Sequence, residues 1–239
     1  MGNIIAKLVR KIQYLKINKI LRKISKNNEL NIENDILCNI KLDIRGISNV
    51  VRLTNISIPS TKTKKFIHIY IYGNNNEVTI DNISIGSRLE IRIGQDHRNF
   101  GEVNFTKFII GKGTSIEDMR YYTYNSHSYC TIGENCMLSS EIIFYNTDAH
   151  PIMEKETLKI VNKVKGISIG EHCWIGHKAT VLKNTKIPDN CIIGYGSVVS
   201  GNMKEEFATY AGNPAKCIKT NITWDSNGRK FGYIENKIE

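Results

Sequence analysis

Apolar positions along this chain follow three different periods in turn. Over residues 3–25, Ile4, Ile5, Leu8, Val9, Ile12, Leu15, Ile20 and Ile24 recur close to the helical spacing with cations between them. This predicts a basic amphipathic helix, assigned to residues 1–28. From about residue 30 to 110 the pattern changes to alternating runs such as Ile40-Lys41-Leu42-Asp43-Ile44 and Ile67-His68-Ile69-Tyr70-Ile71-Tyr72, separated by Asn- and Gly-rich turns. These runs predict short strands.

From Ile169 the period is six. Ile169, Ile175, Val181, Ile187, Ile193 and Val199 keep it strictly, and the fifth position of each hexad is small: Cys173, Ala179, Thr185, Cys191 and Ser197. The same register shows at Ile132, Cys136, Leu138 and Phe144, with echoes at Ile80, Ile85, Ile93 and Ile110. Such a period fits neither one helix nor one long strand. It marks a solenoid in which each hexad supplies a short strand and a turn, three hexads closing one triangular coil. The aliphatic residue points into a narrow core, and the small one fits where stacked corners crowd. Gly170, Gly176 and Gly194 follow the aliphatic position, where close packing or unusual backbone angles favour glycine. The predicted fold is therefore mainly β, a parallel β-helix over residues 29–220 followed by a tail at 221–239. Residues 145–168 break the sixfold register and are expected to project as a loop. No linker rich in Ser, Gly or Pro divides off a second domain.

Charge changes this picture only at one end. The formal net charge is +10, but residues 1–26 hold eight cations and no acid, so the remainder carries 25 basic against 23 acidic residues. The body is nearly neutral, and the basic run has only Tyr14 for base stacking, so no nucleic-acid partner is expected. A helix at a membrane surface, against another subunit, or capping the open end of the solenoid fits the amphipathic pattern. Cations interrupt every apolar run short of a membrane span or a signal-peptide core, so a cytoplasmic location is expected, with peripheral membrane contact through residues 1–26 left open. The six cysteines form no CxxC pair; Cys136, Cys173 and Cys191 read as small buried residues at coil corners.

At this point the residues resemble the hexapeptide-repeat acyltransferases with a left-handed parallel β-helix. The matching elements are Asn146-Thr147-Asp148-Ala149-His150-Pro151, Cys173-Trp174-Ile175-Gly176, Ile193-Gly194-Tyr195-Gly196-Ser197-Val198-Val199 and Ala211-Gly212-Asn213-Pro214-Ala215-Lys216. Among its members the chain looks most like bacterial O-acetyltransferases of surface polysaccharides, including sialic-acid-containing capsules. The resemblance covers about residues 105–220 and leaves residues 1–100 unexplained. It implies a homotrimer with active sites between subunits, a carbohydrate acceptor and acetyl-CoA as cosubstrate. One departure is Lys183-Asn184, where many relatives have Pro-Gly; Asn tolerates left-handed geometry, so the coil should survive.

The resemblance makes His150 the expected catalytic base. A sugar hydroxyl must lose its proton as it attacks a thioester, and an imidazole titrating near about 6.5 is suited to take it. Asp148 would orient the loop or the imidazole. Trp174 matches the position lining the donor and acceptor site, where its indole would stack on sugar or pantetheine or donate toward the oxyanion. His177, Tyr195 and Ser200 match coenzyme-binding positions, and Lys216 and Lys219 match residues that meet the coenzyme's phosphates. A metal hydration site using His150, His172 and His177 is discounted, because the gamma-class carbonic anhydrases on this fold need a His five residues after Ile175-Gly176-His177, where this chain has Leu182. The expected reaction is O-acetylation of a cell-surface glycan without an acyl-enzyme. N-acetylation of a nucleotide-linked amino sugar is the alternative, although strands without βαβ alternation over residues 30–110 do not suit the nucleotide-sugar domain those enzymes often carry.

Overall fold

The computed structural model describes residues 24–33, 38–58, 65–96 and 101–227. Residues 1–23 of the expected amphipathic helix lie outside the described residues. Ile24 to Asn28 are not helical: Ile24 forms a parallel bridge to Ile44, and Asn28 already stacks on the next coil through Asn49.

From Glu29 onward the chain winds through three columns of parallel strands. The first face carries Glu29–Ile32, Val50–Thr54, Glu77–Asp81, Lys107–Ile110, Tyr129–Ile132, Gly166–Ile169 and Lys186–Ile187, each bonded to the next. The second face stacks the beginnings of Ser84–Ile93 and Ser115–Thr123 under Met137–Leu138, Trp174–Ile175, Ile192–Ile193 and Thr209–Gly212. The third face runs through Asn39–Arg45, Phe66–Tyr72, the later parts of the same two long strands, Ile142–Tyr145, Thr180–Leu182 and Val198–Val199. An antiparallel strand, Ala215–Lys219, closes the C-terminal end against Thr209–Gly212.

The sixfold register has its physical basis here. Ile169 pairs with Ile187, Trp174 with Ile192 and Thr180 with Val198, each eighteen residues on, so one coil is three hexads. All six aliphatic residues of the repeat are buried in the axial core, each worth about 1.5–3 kcal/mol relative to exposure. The coils before Lys107 are longer. Val51 pairs with Val78 and Ile80 with Ile110, twenty-seven and thirty residues on, so the described strands from Glu29 to Ile93 belong to the same solenoid although only isolated echoes of the sixfold spacing survive in them.

Stacked corners are held by ladders of side-chain donors. Cys136, Cys173 and Cys191 are buried, and each thiol lies against a carbonyl of the following coil: Gly170 at 3.2 Å, Pro188 at 3.0 Å and Glu205 at 3.3 Å. Small size is thus only half of what the position selects; an S–H that reaches the next coil is the other half. In the N-terminal coils asparagine fills this part. Asn49 donates to Asn28 Oδ1 and to the Gly73 carbonyl, and its own Oδ1 accepts from both nitrogens of Asn76. Asn76 in turn donates to the Val103 carbonyl and accepts from the Thr106 amide.

The glycines after the aliphatic positions answer to close packing and not to backbone angle. A Cβ on Gly133 would lie 2.5 Å from the Gly170 carbonyl oxygen, and one on Gly176 would lie 2.6 Å from that of Ile193, while neither has positive φ.

Candidate functional site

The projecting segment leaves the third face after Tyr145 and returns at Gly166, so the loop spans residues 146–165, slightly shorter than the sequence reading. Its root is buried and polar. Asn146 donates from Nδ2 to the hydroxyl of the fully buried Tyr121 and to the Tyr129 carbonyl, and Thr147 Oγ1 donates to Asn125 Oδ1 at 2.7 Å. Burial pushes the Tyr121 phenol well above its ordinary range, so it remains a neutral partner.

A tight turn follows. Ala149 takes φ +63°, and the His150 amide donates to the Asp148 carbonyl at 2.7 Å, which carries His150 outward into an exposed position. Asn162, on the returning limb of the loop, donates to Asp148 Oδ2 at 2.7 Å and to the His150 carbonyl at 2.9 Å, and accepts from the Ile152 amide at 2.8 Å. Lys183 Nζ sits 3.2 Å from the same Asp148 oxygen. Its neighbour Asn184 has φ +59°, the left-handed geometry expected of it, and its amide binds the Lys163 carbonyl and the Lys165 nitrogen. The Lys183-Asn184 pair therefore ties the coil to both ends of the loop.

The Asp148 carboxylate is thus engaged by Asn162 and Lys183. Nothing in the sequence marks Asn162, and Lys183 stands out only as a departure from the usual Pro-Gly turn, not as a partner of Asp148.

A second group of residues lies on the second face and its corner with the third. Trp174 points outward and is half-buried, with its indole N–H donating to Ser139 Oγ at 3.3 Å. The N–H thus has a partner within the coil stack. His177 places Nε2 3.4 Å from Glu141 Oε1, and its ring lies 5.2 Å from that of Tyr195, which stands one coil on and is 69% exposed. A cleft of about 370 Å³ opens beside them, floored by Ser84, Ser115, Met137, Ser139, Ser140 and His177. Toward the C-terminus the same face continues from Trp174 through Ile192 and Thr209 to Lys219, with Lys216 beside it on the last strand. Three strand spacings of about 4.8 Å separate Trp174 from Lys219, a strip suited to a long ligand with an anionic end.

Ser200 is exposed at the far edge of the third face, where it follows Val199, and so stands on the loop side of the coil. One chain thus carries the predicted residues as two separate sets. Trp174, His177, Tyr195, Lys216 and Lys219 line one edge, while Asp148, His150 and Ser200 lie across the strand Thr180–Leu182 from it. The imidazole of His172 has Nδ1 3.1 Å from Asn190 Oδ1 and is stacked on Trp224. Among the described residues, His, Cys, Asp and Glu form no group of three or more placed to hold a metal ion.

Comparison with known proteins bears on this arrangement. A family model described as bacterial transferase hexapeptide (six repeats) matches residues 166–201, the two most regular coils. The polysialic acid O-acetyltransferase of Neisseria meningitidis is 31% identical over 196 residues, covering 78% of this chain and 89% of that one. The polysialic acid O-acetyltransferase of Escherichia coli O1:K1 / APEC is 32% identical over 137 residues, covering 56% of this chain and 44% of that one, so the match spans less than half of that relative's length. The solved structure of the polysialic acid O-acetyltransferase OatWY superposes with a TM-score of 0.59 at 26% identity, covering 85% of this chain and 86% of that one.

Proposed function

The chain belongs to the hexapeptide-repeat acetyltransferases and is similar to those that modify capsular polysaccharide, and from that membership we propose that it transfers acetyl from acetyl-CoA to a sugar hydroxyl of a sialic-acid-containing surface glycan. The observation that carries the proposal is the Asp148-Ala149-His150 turn, fixed by Asn162 and Lys183 at the edge of a hexapeptide coil. The solenoid is taken as left-handed, as in the family.

In this reading the acceptor hydroxyl attacks the carbonyl carbon of the thioester while its proton passes to the imidazole of His150. The C–S bond breaks, and the departing thiolate receives the proton from the imidazolium, so the base is regenerated without an acyl-enzyme. Trp174 stacks on pantetheine or sugar. His177, Tyr195 and the serine-floored cleft accept the arm of the coenzyme, and Lys216 and Lys219 meet its phosphates. No metal takes part.

We take the protein to be a homotrimer, as membership of the family implies, and the split site supports an active site shared between subunits. His150 lies on the loop at the far edge of the third face and Trp174 on the second face, so a neighbouring subunit would bring the loop of one chain to the strip of the next. The loop itself favours such a contact, because Ile152, Met153, Leu158, Ile160 and Val161 are 48–67% exposed on it. We place the enzyme in the cytoplasm, with residues 1–26 at the inner membrane surface; deleting them should abolish binding to anionic vesicles and leave transfer to soluble acceptor intact.

The test is transfer of labelled acetyl from acetyl-CoA to a panel of polysialic, capsular and O-antigen glycans. His150→Ala is expected to lower the rate by about 10²–10⁴-fold. Retention of more than about a tenth of wild-type transfer would remove His150 as the base.

A further inference from the structure

The chain contains two tryptophans, and the fold brings them together from fifty residues apart. After the last strand the segment from Thr220 to Asn227 turns back along the solenoid. It is anchored by Ile222, whose amide donates to the Phe207 carbonyl at 2.9 Å. Two residues later, Trp224 lies flat on the imidazole of His172, with ring centroids 4.5 Å apart and planes inclined by 8°. Its indole N–H donates to the His172 carbonyl at 2.9 Å. His172 is itself held to the following coil through Asn190. Trp174 flanks this small stack, with its ring 6.1 Å from that of Trp224 and inclined by 46°.

Trp174 needs such support. It is half-buried on a two-residue strand, a stretch of backbone pairing that does not by itself fix the side-chain torsions. Ser139 engages one atom of the indole and leaves rotation about that contact open. A second aromatic ring at 6.1 Å, itself fixed by a stack and a hydrogen bond, restricts that freedom. We propose that Trp224 is a positioning residue for the transfer site: the C-terminal strap clamps Trp174 in the orientation that presents its ring to the substrates. This rests on the reading above that Trp174 lines that site.

The experiment uses the full chain with Trp224→Ala, Trp224→Phe and Trp174→Ala. The conservative Trp224→Phe keeps a planar ring over His172 and Trp174. In Trp224→Ala and Trp224→Phe, Trp174 is the sole tryptophan emitter, so its fluorescence anisotropy reports its mobility directly. Trp224→Ala is expected to lower that anisotropy and to reduce kcat for acetyl transfer from acetyl-CoA to polysialic acid by about tenfold, with the melting temperature kept and the effect rescued by Trp224→Phe. Equal Trp174 anisotropy in the Ala and Phe variants overturns the clamp whether or not polysialic acid is accepted. Wild-type kcat in Trp224→Ala alongside lost activity in Trp174→Ala overturns the positioning role alone. Wild-type activity in Trp174→Ala overturns the assignment of Trp174 to the site, and the positioning role with it.

Discussion

Asn162 binds Asp148 side chain to side chain, with Nδ2 2.7 Å from Oδ2, and the same Nδ2 lies 2.9 Å from the His150 carbonyl. One primary amide therefore spends both hydrogens on the turn that presents the proposed base, and its oxygen accepts the Ile152 amide just beyond it. Asn162→Ala should leave the coil intact and loosen the turn. A drop of about tenfold or more in kcat with little change in melting temperature is expected, since small misplacements of a catalytic group carry costs of that order. Asn162→Asp should be at least as damaging, because it faces the Asp148 carboxylate with a second one. Unchanged kcat in both variants would show that the turn holds without this contact.

The loop and the coil differ in how far they can be read from sequence. Ile169 to Val199 keep strict sixfold spacing because two successive coils there contain no insertion, so one aliphatic residue per hexad suffices to reveal the triangle. In the described strands between Glu29 and Ile93 the same solenoid leaves only isolated sixfold echoes, because its repeats run from twenty-one to thirty residues and its corners use Asn49 and Asn76 where later coils use cysteine. His150, Trp174 and His177 are readable because they sit beside motif residues. Asn162, Lys183 and Ser139 are not, since each acts through a contact made across coils or across the loop. Trp224 is the extreme case: nothing in the spacing of the tail indicates that it turns back onto His172.

Gly133→Ala tests the close approach of coils. The new methyl would meet the Gly170 carbonyl oxygen at 2.5 Å, and this neighbour is backbone already engaged in the stacking ladder, so it has little room to give. Overpacking of this kind costs about 1–3 kcal/mol. A melting temperature lower by several degrees is expected, from about 2–4 °C per kcal/mol for a domain of this size. No change would mean that the coils are spaced more loosely than the contact implies.

The corner cysteines should be chemically silent. Cys136, Cys173 and Cys191 are buried, whereas Cys217 is exposed on the last strand. Burial pushes the Cys191 thiol up from the ordinary 9.0 to about 11, and burial does the same for Cys38. Alkylation of the native protein with iodoacetamide near neutral pH should therefore modify Cys217 and spare the corner thiols until the chain is unfolded. The sign of the pH effect on stability follows. Below about pH 9 both states keep these thiols protonated, whereas between 9 and about 11 the unfolded chain loses protons that the folded chain retains, so stability should fall as pH rises through that window. Modification of Cys173 at the rate of Cys217 in the native state would contradict the closed corner.

The asparagine ladder should be the most sensitive polar feature of the N-terminal coils. Asn49 is fully buried and connects three coils: it donates to Asn28 Oδ1 at 3.0 Å and to the Gly73 carbonyl at 2.9 Å, and accepts from Asn76. Asn49→Ala would leave the Gly73 carbonyl and the Asn76 amide group without their partner inside the solenoid, where water cannot substitute freely. Leaving buried partners unsatisfied costs about 1–3 kcal/mol. Asn49→Asp should cost more, because a carboxylate cannot donate to the Gly73 carbonyl and would be buried as a charge. The distinguishing measurement is native-state hydrogen exchange. Both variants should raise exchange in the strands Val50–Thr54 and Glu77–Asp81 and leave Trp174–Ile175 and Ile192–Ile193 protected, since each coil of a solenoid contacts only its neighbours. Uniform loss of protection along the whole chain would mean that the solenoid unfolds as one unit and that the ladder stabilises all of it.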